Sequence, residues 1–169
     1  MKFLPSTAFL LSLLSATGVF ASPVPATAST KYELSPKKKF GIMSFHSGNF
    51  NVHLHPFFVG ESGHVYLTQY DNADQVNEFY LKDSQLFHKD EIASLDKDGA
   101  LVFKSSNNSS LTGFNTKQLT TGIGYEFRLN TSFPVACHVP NTNEVYQIYY
   151  GRENHTSECV GIATELIIP

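Results

Sequence analysis

The stretch Phe40–Gly60, FGIMSFHSGNFNVHLHPFFVG, carries the clearest period-two patterning in the chain. Read as an extended strand, Phe50, Val52 and Leu54 fall on one side and Asn49, Asn51, His53 and His55 on the other. Ser47-Gly48-Asn49 just before it is turn chemistry, so Phe40–Phe45 and Phe50–Leu54 read together as a β-hairpin whose buried faces nucleate the core. The same strand sets two imidazoles side by side.

Downstream the pattern repeats in short pieces. Gly60-Glu61-Ser62-Gly63 is a turn, and His64–Tyr70 is strand-like with Val65 and Leu67 facing inward. Asp71–Asn77 is a polar interruption that fits one helical turn, and Glu78–Lys82 resumes extended character with Phe79 and Leu81 inward. Asp83-Ser84 turns the chain into Gln85–His88; Ile92 and Leu95 mark a short strand before the turn Asp96-Lys97-Asp98-Gly99, and Leu101 and Phe103 share one face of the next. Gly124–Leu129, Phe133–His138, Glu144–Tyr150 and Gly161–Ile168 complete the series. Short strands about ten residues apart, with Gly, Asn and Asp turns and no amphipathic helix, predict an all-β, compact single-domain barrel or sandwich. Phe40-Gly41-Ile42, Phe79-Tyr80-Leu81 and Tyr125-Glu126-Phe127 form a faint internal echo, which makes a β-trefoil-like barrel one form of that prediction.

Upstream, Lys2, the apolar run Ala8–Leu14 and the small-residue site Val19-Phe20-Ala21 read as a secretory signal peptide over residues 1–21, interrupted by Ser12, Ser15 and Gly18 and too short to span a bilayer. Residues 22–39, rich in Ser, Thr, Pro and Ala and ending in Lys37-Lys38-Lys39, read as a flexible arm with hydroxyls for O-glycans and a dibasic stretch open to processing. The single β domain is then 40–169. A mature chain of this size buries roughly 68–70% of its unfolded surface, enough for a real core. Loss of the leader, whose one charged residue is Lys2, takes the formal net charge from −3 to −4, which leaves no basic footprint for nucleic acid.

Cys137 and Cys159 are the two cysteines of the chain. In an oxidising compartment one pair most simply means one intramolecular disulfide, worth roughly 3 kcal/mol in the chain-entropy picture, with a free thiol or an intermolecular bridge as the other options. Sequons occur at Asn107, Asn108, Asn130 and Asn154, each in an expected loop or turn, and at least two are expected to carry N-glycans.

The chemistry-bearing groupings are few. His53-Leu54-His55, with His46, His64 and Glu61 nearby, has the geometry of a β-barrel metal site, and Gly48…His53-x-His55…Glu61 is similar to the first metal motif of cupins. The second cupin element is missing from the Lys82–Lys104 region, so the histidines read first as surface polar residues and no cofactor is expected; a metalloenzyme using His53 and His55 is the alternative. There is no G-x-S-x-G elbow, no Ser, His and Asp grouping stands out, and the carboxylates Asp90-Glu91 and Asp96/Asp98 read as solvating turn residues. Tyr149-Tyr150 is the stretch that would offer flat platforms for sugar, although Trp is absent and core packing accounts for most of the 14 Phe and 8 Tyr.

Phe40-Gly41-Ile42 with His46-Ser47-Gly48, and Val135-Ala136-Cys137 followed by Cys159-Val160-Gly161-Ile162-Ala163, resemble the phiA type of fungal cell-wall protein over about residues 39–166. The front motif also looks like the head of yeast cell-wall mannoproteins. The resemblance implies a secreted, glycosylated, wall-associated protein with a structural or developmental role and no enzymatic activity, whose partners are wall polysaccharide or wall mannoprotein. It also supports pairing Cys137 with Cys159. The chain departs from that family in lacking the additional cysteines of filamentous relatives, and from the mannoproteins in having no apolar tail after small residues, so no GPI anchor is expected. A lectin-like carbohydrate-binding module is the second reading.

Overall fold

The computed structural model describes residues 34–35, 37–67, 77–105, 111–121, 123–151 and 158–169, which form one compact unit. The expected leader (1–21), most of the expected arm, residues 68–70 of the strand-like segment His64–Tyr70, residues 71–76 of the polar interruption Asp71–Asn77 and the sequons at Asn107, Asn108 and Asn154 lie outside the described residues. Among the described residues the strands are β1 (Gly41–Phe45), β2 (Phe57–Val59), β3 (Val65–Leu67), β4 (Phe79–Lys82), β5 (Gln85–His88), β6 (Glu91–Leu95), β7 (Leu101–Lys104), β8 (Phe114–Gln118), β9 (Tyr125–Leu129), β10 (Val135–His138), β11 (Tyr146–Tyr149), β12 (Cys159–Gly161) and β13 (Ala163–Ile167). The domain is all-β, as the turn spacing predicts.

Three antiparallel sheets pack together without closing into a barrel. Their orders are β1-β13-β9-β8, β12-β10-β11-β3-β2 and β4-β5-β6-β7. Isolated bridges stitch each pair of sheets: Phe40 to Phe79, Met43 to Pro56, and both His64 to Val102 and Ala100 to Tyr149. The aromatic echo has a counterpart here, because Phe40 and Phe79 exchange backbone hydrogen bonds and the Phe40 ring lies 6.2 Å from Phe127. It does not mark three equal units, since β1 and β9 flank β13 in one sheet while β4 is the edge of another.

The core is an aromatic seam across the sheets. Phe103 and His88 lie 5.6 and 5.5 Å from Phe79, and Phe127 stacks on Phe114, which meets Tyr150 edge-on. Phe40, Phe79, Phe103, Phe114 and Phe127 are almost wholly buried. Each buried side chain of this size contributes about 1.5–3 kcal/mol, and each ring pair roughly 0.5–1.5 kcal/mol more.

The expected hairpin between Phe40–Phe45 and Phe50–Leu54 does not form. β1 pairs instead with the C-terminal β13 over five residues, from Gly41 opposite Ile167 to Phe45 opposite Ala163. Residues 50–54 are a run of turns: Asn49 accepts the N–H of Asn51 through its side chain and that of Val52 through its carbonyl, and Leu54 adopts a left-handed φ of 61°. Ser44 anchors this loop from below. Its hydroxyl lies 2.7 Å from Val52 O and 2.9 Å from His55 O, accepts the His55 N–H at 3.2 Å, and is fully buried. Short polar side chains here bond the backbone locally and compete with a ladder. Val52 is consequently buried while Phe50 stands 86% exposed, which breaks the period-two reading.

Two further boundaries differ from expectation. The last strand is split at buried Ile162, whose N–H reaches Pro134 O and where the chain passes from the sheet of β12 to that of β13. The arm's C-terminal end is docked, with Leu34 against the core and the Lys37 N–H bonded to Leu81 O.

Gly63 packs closely against β7 of the neighbouring sheet. It has φ 80°, its carbonyl accepts the Phe103 N–H at 2.8 Å, and a Cβ there would sit 2.3 Å from Phe103 O. Gly48 has a similar φ of 91° with nothing within 4 Å. Gly48→Ala should therefore cost about 1 kcal/mol from backbone conformation alone, and Gly63→Ala about 3 kcal/mol or more, measured by urea unfolding. Equal losses would show that the close approach is absent.

Candidate functional site

The cysteines lie directly opposite one another on β10 and β12 and form a disulfide with Cα atoms 4.0 Å apart. Next to this pair, the His138 N–H bonds Glu158 O. Asn130 occupies an exposed turn closed by reciprocal hydrogen bonds between Leu129 and Ser132, with φ 55° and its side chain lying over Gly113.

The four histidines do not converge on one point, although His46 and His53 are neighbours. Without a strand at 50–54, His53 and His55 do not share a face. His53 is half-buried, its ring edge-on to Phe45 and its Nδ1 accepting the His46 N–H at 3.2 Å. His55 is buried, and its Nε2–H donates to Phe50 O at 3.0 Å. Among the described residues no group of three or more His, Cys, Asp or Glu is placed to hold a metal ion.

His64 instead joins a line of side chains that no local sequence pattern marks. Ser62 Oγ lies 3.0 Å from His64 Nδ1, and His64 Nε2 lies 3.4 Å from Asp96 Oδ2. Asp96 Oδ1 accepts the amides of Asp98 and Ala100, so the carboxylate organises the β6–β7 turn while touching the head of β3. The sequence order hydroxyl, imidazole, carboxylate matches a nucleophile, base and orienter, but with the ring nitrogens exchanged and the His–Asp contact long. The line reads as a clamp between two sheets. Partial burial of Asp96 opposes its ionisation, but the Ala100 and Asp98 amides and His64 outweigh that and hold its carboxyl below the ordinary 3.8.

Tyr149 and Tyr150 do not form a sugar platform. Tyr150 is 2% exposed, packs on Phe114 inside the core, and burial drives its phenol far above the ordinary range. Tyr149 is half-buried and donates its hydroxyl to Gln147 Oε1 at 3.2 Å.

A different aromatic surface is built on the β4–β5 hairpin. Asp83 and Ser84, with φ 52° and 59°, form the two-residue turn, and the register puts Tyr80 opposite Phe87 and Phe79 opposite His88. Phe79 and His88 point inward; Tyr80 and Phe87 stack on the outer side at 4.9 Å and 7°. Beside Tyr80 lies a cleft of about 440 Å³, bordered by Lys39 of the N-terminal segment and by Asn77, Glu78, His88, Lys89 and Asp90. Lys39 pairs with Glu78, and Asn77 Oδ1 accepts the Val59 N–H at 2.7 Å. The sequence signal for this cleft is Tyr80 between Glu78 and Lys82 on a strand face otherwise assigned to solvent.

Asp96→Ala should cost about 1 kcal/mol at neutral pH, as for loss of a capping side chain, and Asp96→Asn less. A carboxyl whose folded pKa lies below its unfolded one contributes stability that is complete above the unfolded value and is lost as pH falls through the folded value, so the gap between wild type and Asp96→Asn should shrink as pH falls from about 4. A gap independent of pH, followed by chemical unfolding, would show that the Asp96 charge plays no part.

Among the known proteins, no family model and no solved structure matches the chain. Two relatives from Schizosaccharomyces pombe, each described as an uncharacterized but2-like protein, do match. One is 39% identical over 166 residues, covering 98% of this chain and 42% of the relative. The other is 39% identical over 172 residues, covering 100% of this chain and 36% of the relative. The chain spans about two-fifths of the length of these curated relatives, and so is similar to one portion of each but2-like protein.

Proposed function

We propose that the chain is a secreted, non-enzymatic glycoprotein that acts at the fungal cell wall or in the extracellular space, in a structural or developmental role. The observation that carries this reading is the Cys137–Cys159 bond, because disulfides form and persist chiefly in oxidising compartments. The leader-like residues 1–21, the sequons and the resemblance to phiA-type wall proteins support the same route. Asn130 adds a sequon on an exposed turn, where an oligosaccharide meets solvent without displacing core side chains. But2-like relatives from a yeast agree with a fungal setting.

The test is expression of the full chain with a C-terminal tag in fission yeast, followed by fractionation, endoglycosidase H treatment and maleimide labelling of thiols. The expected result is protein in the wall or culture fluid, faster migration after the enzyme, one mobility step lost in Asn130→Gln, and no thiol labelled before reduction. Retention in the cytosol with both cysteines labelled would contradict the reading.

A further inference from the structure

We propose that the cleft beside the β4–β5 hairpin binds a short, uncharged oligosaccharide, with Tyr80 as the stacking surface. The proposal rests on the extracellular reading for where such a ligand is met, and on the cleft alone for its chemistry.

The aromatic surface is preorganised. Tyr80 is held on one face by the parallel ring of Phe87, and its hydroxyl donates to Lys89 O at 3.3 Å. A ring fixed from behind loses little rotamer freedom when a ligand covers it. Its π-face is electron-rich and attracts the slightly positive C–H face of a pyranose. A volume of about 440 Å³ also falls within the size range of small-molecule sites.

The polar groups around Tyr80 set the ligand class. His88 is 7% exposed, wedged against Phe79 and Phe103, yet it borders the cleft. Its Nδ1 lies 3.0 Å from Glu78 O, and since a carbonyl only accepts, Nδ1 carries the proton. The other ring nitrogen, Nε2, is an acceptor when the ring is neutral, the role that suits a hydroxyl donor. Among the described bordering residues, the carboxylates Glu78 and Asp90 are matched by the amines Lys39 and Lys89, and the first pair is already closed. An anion or a cation entering the cleft meets a like charge, whereas a polyol finds acceptors and donors together.

The test is titration of the full chain with β-1,3-glucotriose, chitotriose and mannotriose, and with a sulfated disaccharide as the charged probe. Amide shifts are followed by NMR up to about 20 mM, a range that detects millimolar binding. Saturable shifts confined to residues 77–90 with at least one neutral sugar, weakened about tenfold or more in Tyr80→Ala and retained in Tyr80→Phe, are expected. No saturable shift with any neutral sugar, equal binding by Tyr80→Ala, or binding of the sulfated probe alone would overturn the proposal. Tyr80 is half-buried on the outer face of the hairpin and outside the buried core, and an unchanged amide spectrum elsewhere verifies folding of the variant. A chain that stays inside cells yet binds sugar refutes the secretion reading alone; one that reaches the wall without binding refutes this site alone.

Discussion

The pairing of β1 with β13 is the constraint on which the other elements depend. It brings the first strand and the last into one five-residue ladder, so the sheet β1-β13-β9-β8 exists only when nearly the whole chain is in place. Contacts between segments so far apart in sequence carry a loop-closure cost that must be met before the ladder contributes. Burial of Ile42, Thr164 and Leu166 at that seam offsets it, and the Thr164 hydroxyl is satisfied by Phe127 O at 2.6 Å.

The cystine acts on the same constraint from the neighbouring sheet. Cys159 fixes β12 against β10, and Ile162 then turns the chain toward β1. A segment of few residues between a covalent anchor and a buried side chain has little freedom in where β13 begins. The aromatic seam does the complementary task at the other end, joining Phe40 to Phe79 across sheets and so positioning the β4–β5 hairpin that carries the cleft.

The sequence makes much of this architecture legible where one face is apolar and the other polar. Val65 and Leu67 are buried as their alternation implies, Leu101 and Phe103 are buried as read but together with Val102 between them, and Asp96–Gly99 is the turn it reads as. The reading fails where hydrogen bonding overrides patterning. Phe50, Val52 and Leu54 alternate, but Ser44 and Asn49 draw that backbone into local bonds, and with the strand goes the paired-imidazole site. β8 carries a single apolar residue, Phe114, in FNTKQ, and gives no periodic signal. Ile162 shows no break in sequence because a chain crossing between sheets there needs neither Gly nor Pro. For the candidate site, Tyr150 reads as accessible only until cross-sheet packing encloses it, whereas Tyr80 and His88 meet through strand register, which no local pattern encodes.

Native-state amide exchange on the full chain tests this account most directly, by comparing the opening of residues 41–45 with that of residues 163–167. The account predicts that both segments open together, at the free energy of global unfolding, because neither has its edge satisfied without the other. Exchange of 163–167 at a much lower free energy while 41–45 stays protected would contradict it.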